Sequence, residues 1–210
     1  LPNYNLLEIL THIRHSEKVL NMKKLLLILI LTLSFQSWTK ADDIKDFQIE
    51  GMSIGDSLLD YFNKEEILKY GDNPYNSDIW TTYSDMFKSS STYDGFQVTF
   101  KKDDYQYKIE SVVGQLLYEK NIDKCYKKKK EIILELDEIF INAKKVNHKK
   151  NHSGDPTGNS KNEFTNYTLE TGDNIRVACV DWSNDMEYID KLKVSISSSK
   201  FIYFIENEAY

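Results

Sequence analysis

Phe96, Val98 and Phe100 alternate with Gln97 and Thr99, and Tyr105, Tyr107 and Ile109 alternate with Gln106 and Lys108. Such runs constrain the fold more than anything else in the chain. A period of two sends successive side chains to opposite faces of a strand, so an alternating run is expected to settle as half-buried β-structure. Lys101-Lys102-Asp103-Asp104 between them reads as a polar turn, and the pair as a hairpin. Val112 to Tyr118 extends the second strand, with Gly114 marking a bulge or bend. Phe164 to Leu169 and Asn174 to Trp182 flank Thr171-Gly172-Asp173 in the same way. Leu192, Val194 and Ile196 alternate next, as do Phe201, Tyr203 and Ile205 beyond Ser197–Ser199, which predicts two more hairpins. Ile79 to Met86 mixes aromatic residues and threonines as a strand does.

Helical signals lie apart from these runs. In Gly51 to Gly71, Asp56 or Ser57 can cap a helix start, Leu58, Leu59 and Phe62 form an apolar face, and Asn63 can cap a second short turn. Glu65 and Glu66 suit the positive end of that turn. Ile132, Ile133, Leu136, Ile139, Phe140, Ala143 and Val146 recur at spacings of three and four, predicting one long amphipathic helix from Asp123 to about Lys150. Asn151 to Asn162, with two Gly and one Pro, ends it. Strands and helices in separate runs predict an α+β fold, an antiparallel sheet of about six strands with short N-terminal helices and that long helix.

Met22 to Asp43 reads as an export signal. Lys23 and Lys24 precede a nine-residue apolar stretch broken only by Thr32, Leu25 to Leu33, and Ser34 to Ala41 is more polar and closes on Thr39-Lys40-Ala41. This layout predicts a secretory signal over 22–41, cleaved after Ala41. The rival is a retained anchor, but a spanning helix needs roughly 20 apolar residues, and Lys24 and Gln36 bound a shorter run. Residues 1–21 are expected to be a mis-assigned extension ahead of a start at Met22; the rival is a cytoplasmic amphipathic lead-in. Residues 42–210 are then one periplasmic α+β domain.

That address governs the cysteines and the charge. Cys125 and Cys179 both fall in 42–210, and in an oxidising compartment two such thiols predict a disulfide. The chain holds 27 basic and 33 acidic residues, of which five and two lie in 1–41, so 42–210 carries a net −9. A domain this acidic is not expected to bind nucleic acid non-specifically, which rests on cations meeting phosphate. Arg176 is the one arginine after residue 41, which disfavours a bidentate anion clamp.

No catalytic, cofactor or metal constellation stands out. His148 and His152 have a spacing that suits two ligands on one helical face, but Lys149 and Lys150 lie between them, and a structural role is the better reading. These two are the only histidines after residue 41, and no nucleophile elbow accompanies them. Asp181-Trp182 can line a sugar cleft, although a core-capping role for Trp182 is the simpler reading, and pairs of carboxylates leave a small hydrolase open. Lys127–Lys130 reads as a solvated helix face.

The stretch "IEGMSIGDSLLDYFNKEEI" (Ile49 to Ile67), behind the 22–43 segment, resembles a group of uncharacterised exported proteins of AT-rich marine alphaproteobacteria. Gly51-Met52-Ser53-Ile54-Gly55-Asp56-Ser57 is also similar to the opening of small envelope domains of the outer-membrane assembly lipoprotein and β-lactamase-inhibitor type. That likeness implies short helices on one face of an antiparallel sheet, with the motif turning the chain into the first of them. The chain departs from those domains in lacking a lipidation cysteine and in having more strands. The expected role is a periplasmic or envelope binding module whose partner is an envelope protein or small ligand, not nucleic acid, with membrane contact only through the signal. An enzyme is not expected.

Overall fold

The computed structural model describes residues 43–209, apart from 76, 86–91 and 120. The segments read as an upstream extension (1–21) and a signal (22–41) lie outside the described residues. Among the described residues eight strands make one antiparallel sheet in the order β1-β2-β3-β4-β8-β7-β6-β5. They are β1 (Gly71–Asp72), β2 (Trp80–Asp85), β3 (Gly95–Lys101), β4 (Ile109–Tyr118), β5 (Lys144–Asn151), β6 (Lys161–Thr168), β7 (Asn174–Asp181) and β8 (Asp190–Ser197). Among the described residues three α-helices accompany them, α1 (Lys64–Lys69), α2 (Ile122–Ile139) and α3 (Ser199–Asn207). The architecture is α+β, but the expected six strands and one long helix are overturned by this arrangement.

The first correction concerns the long helix. It stops at Ile139, and residues 144–151 form edge strand β5 instead of more helix. Lysine-rich Lys144–Asn151 suits a helix by propensity, yet each of its residues from Lys144 to Asn151 pairs with β6. The amide of Phe140 closes the helix on Leu136 O, and its ring packs on Phe47. A free edge of β6 outweighed a weak local preference. The lysines then guard the new edge against pairing with other chains.

The second correction concerns residues 201–205, which form α3 and not a strand. Ser198 caps the helix, its Oγ accepting from Phe201 N, and Phe201 and Phe204 are buried together against Trp80. Apolar residues at 201, 204 and 205 also fit a helical stripe, and the capping serine decides between the periods. Tyr105 and Tyr107 likewise leave the strand. Asp104 accepts from the amides of Gln106 and Lys108, which holds them in the hairpin loop.

Other expectations hold. Ser57 caps a 3-10 turn at Leu58–Asp60, and Asn63 caps α1 through Glu66 N. The Gly51–Ser57 motif is a tight turn: Gly51 and Gly55 take φ of 78° and 91°, and Ser53 Oγ donates to the carbonyls of Lys45 and Phe47. The hairpins β3–β4 and β6–β7 form.

Alternation divides the sheet into two faces. Ile175, Val177 and Cys179 on β7 lie opposite Ile196, Val194 and Leu192 on β8, and all six are buried under α2. The core continues through Val98, Val112 and Tyr83 to Ile67 of α1. The expected disulfide is present: Cys125 in the first turn of α2 is bonded to Cys179 in the centre of β7. Gly114 does not mark a bulge, which falls between Thr99 and Phe100. It is small because the Tyr93 ring lies on it, 2.7 Å from where a Cβ would stand. Gly114→Ala is therefore expected to lower stability by about 1–2 kcal/mol in denaturant unfolding. Adding Tyr93→Ala should make the two changes non-additive; strict additivity would contradict the contact.

Candidate functional site

The face of the sheet away from α2 carries a polar grid. Register places Lys193, Ala178, Phe164 and His148 in one row across β8, β7, β6 and β5. Lys191, Val180, Asn162 and Lys150 make the next row. Arg176 stands two residues before Ala178 on the same face. Its Cζ lies 4.7 Å from the Phe164 ring centroid, Lys150 Nζ lies 5.3 Å from it, and the His148 ring stacks at 4.8 Å. Arg176 Nε donates to Asn166 Oδ1 at 2.7 Å.

These cations form no close ion pairs among the described residues, and the one acid that acts on them, Glu206 of α3, faces Arg176. Among the described residues, every ion pair involves other groups, and none includes Lys150, Arg176, Lys191 or Lys193. Burial, then Lys191 and Arg176, push the Lys193 ammonium down to about 8. Burial also lowers Lys191, and it lowers Arg176 against the opposing charge of Glu206 on α3. Like charges are thus gathered on a domain that is acidic as a whole.

The grid ends in an aromatic ladder. The His152 ring is 4.3 Å from Trp182, and Trp182 is 4.7 Å from Tyr188. Gly154 lets the loop pass close, since a Cβ there would meet His152 Nδ1 at 3.2 Å. Asp155 ties this loop down. Its carboxylate accepts from the amides and hydroxyls of Thr157 and Ser160, and those bonds hold it well below the usual carboxylate range. Burial, then Lys193 and Lys191, lower His152, with Asp155 opposing. Two buried polar atoms here, Asn162 Oδ1 and Trp182 Nε1, have no hydrogen-bond partner among the described residues.

The histidines therefore do not share a helix. His148 stands on β5 and His152 just past its end on the same side, and four residues of extended chain span about 13 Å, too far for one ion. Among the described residues no group of three or more His, Cys, Asp or Glu is placed to hold a metal. Asp181 points to the α2 side, where burial and then Asp190 raise its carboxyl. Trp182 does not cap the core; its backbone N–H donates to Asp190 Oδ1 and its ring joins the ladder. Lys129, read as solvated, is buried and paired with Glu163. A separate cleft of about 400 Å³ lies between Trp80, Lys101 and Tyr203, with Lys101 Nζ 5.7 Å from the Trp80 ring.

Sequence reasoning missed the cationic grid because its members come from four strands. One signal was available: Lys191 and Lys193 alternate with core residues Leu192 and Val194, so they had to share the outer face.

The Lys193 charge is open to direct measurement. The fold favours its neutral form, so its contribution to stability rises as pH climbs from about 8 toward the unfolded-lysine value of about 10.4. Facing it are Lys191, Arg176, His152 and Gln115. Nitrogen-detected NMR titration is expected to show Lys193 losing its proton well before the other lysines, and Lys191→Gln should move it upward. Titration together with the surface lysines would contradict the clustering.

No protein-family model, curated protein or solved structure matches the chain. Fold and site together define a disulfide-tied α+β domain whose antiparallel sheet carries α2 on one face and, on the other, the cations beside α3, which packs on Trp80. Among the described residues no helix is long and apolar enough to cross a membrane.

Proposed function

We propose that the protein is an exported binding module of the periplasm or envelope, and that it takes an anionic ligand on the outer face of its sheet. The observation that carries this reading is the cluster of Lys150, Arg176, Lys191 and Lys193, none of which joins an ion pair among the described residues. Like charges held together raise the energy of the unliganded domain, and an anion would relieve that repulsion. The Cys125–Cys179 bridge supports export, because such bonds persist in oxidising compartments.

A sulfonate cation-exchange resin tests the binding. A protein of this net charge has no general reason to bind a polyanion at pH 7. Retention at low salt, with flow-through of a Lys191→Glu/Lys193→Glu variant, is the expected result. Flow-through of the wild type sinks the reading. Mass spectrometry of the native N-terminus tests export, and a chain beginning at Asp42 is the expected product.

A second reading, a small carboxylate-dependent hydrolase, rests on Asp181, whose carboxyl is raised by burial and by Asp190. Turnover of glycosides, esters or peptides that vanishes in Asp181→Asn would favour it over the first.

A further inference from the structure

Within the proposed binding reading, and resting on it, we infer that the ligand is an acidic oligosaccharide: its carboxylates lie along the cationic grid and one of its rings stacks on the His152–Trp182–Tyr188 ladder.

Three features of the face favour this ligand. The first is extent. Lys191 and Lys150 end a row that crosses three inter-strand gaps, about 14 Å, and Lys191 and Lys193 stand about 7 Å apart along β8. A single small anion cannot touch all of these groups, whereas a chain with one carboxylate on each sugar can. The second is the ladder. Trp182 is half-buried and Tyr188 is exposed, so the outer end of the ladder is open to the C–H face of a sugar, while His152 at its inner end lies within the field of Lys193 and Lys191. The third is what the face lacks. Phe164 and Val180 are buried, Phe164 beneath Arg176 and Lys150, so an acyl chain finds no apolar surface in the grid.

The cations are lysines apart from Arg176. Point charges on flexible stems suit carboxylates that recur along a pliable chain, where a rigid bidentate fork would demand a single geometry. Partial burial of Lys191 and Lys193 keeps their field less screened than on an open surface.

The test titrates the purified protein with polygalacturonate, its fully methyl-esterified form, polyphosphate and phosphatidylglycerol vesicles. Binding to polygalacturonate that weakens with salt is expected, with none to the ester, because esterification removes charge and keeps the sugar. Trp182→Ala should weaken this binding about tenfold through lost stacking while leaving sulfonate-resin retention intact. Trp182→Phe keeps a stacking ring and should recover part of the loss, which guards against a merely unfolded variant. Lys191→Gln/Lys193→Gln, with a melting temperature no lower than that of the wild type, should weaken both binding and retention.

Equal affinity for polyphosphate, or an unchanged Trp182→Ala variant, overturns the glycan assignment and leaves the anion-binding face standing. Binding to the vesicles without binding to polygalacturonate also overturns the assignment, in favour of a lipid surface. Failure of every polyanion, together with resin flow-through, removes both readings.

Discussion

Reduction of the Cys125–Cys179 bridge is expected to lower the melting temperature by about 8–16 °C. The two cysteines are 54 residues apart, and closing a loop of that length restricts the unfolded chain by about 4 kcal/mol. For a domain of this size each kcal/mol moves the midpoint by about 2–4 °C. The bridge joins the start of α2 to the middle of β7, where both cysteines are fully buried. Without it, α2 holds the sheet only through side-chain packing. Thermal scans with and without reductant, repeated on a Cys125→Ala/Cys179→Ala variant, measure the effect. Coincident curves would show that packing alone fixes the helix.

The next largest effect concerns the ion pair beneath α2. Lys129 Nζ lies 3.1 Å from Glu163 Oε1, with the lysine side chain only 8% exposed, and Lys149 reaches the other carboxylate oxygen at 3.5 Å. Burial pushes the Glu163 carboxyl up, but the hydrogen bond and charge of Lys129, helped by Lys149, outweigh it and leave it below the usual range. Glu163→Ala strands the Lys129 ammonium in a dry contact and is expected to destabilise by about 3 kcal/mol. Lys129→Met keeps the apolar stem and removes the ion, so it should change stability by less than about 1 kcal/mol. Combining the two should recover most of the loss, and urea unfolding of all four proteins reads the coupling. A depressed carboxyl contributes stability that is present above the unfolded value of about 4.3 and is lost as pH falls through the lower folded value. The Glu163→Ala variant should lose that part of the acid slope.

The two cysteines and the lysine pair show how differently the chain discloses its parts. The bridge was legible because only two cysteines exist after residue 41, and the export-like segment supplied an oxidising address. The burial of Lys129 was hidden, since Lys127–Lys130 looks the same whether solvated or turned to a sheet. Residues 144–151 failed for a related reason: lysines favour helix locally, and only the open edge of β6 made them a strand. In 201–205, Phe201, Tyr203 and Ile205 satisfy a period of two while Phe201, Phe204 and Ile205 satisfy a helix, so pattern alone was ambiguous.

The sequence by itself determined the hairpins β3–β4 and β6–β7, a cap at Asp56 or Ser57 and another at Asn63, and the alternation of Leu192, Val194 and Ile196 on β8. All of these follow from alternation and from short-range hydrogen bonding, which act within a few residues. Tertiary structure alone decided where α2 stops, that β5 closes the sheet, and that Lys150, Arg176, Lys191 and Lys193 meet on one face. Those outcomes depend on backbone pairing between segments far apart in the chain, and no local pattern encodes it.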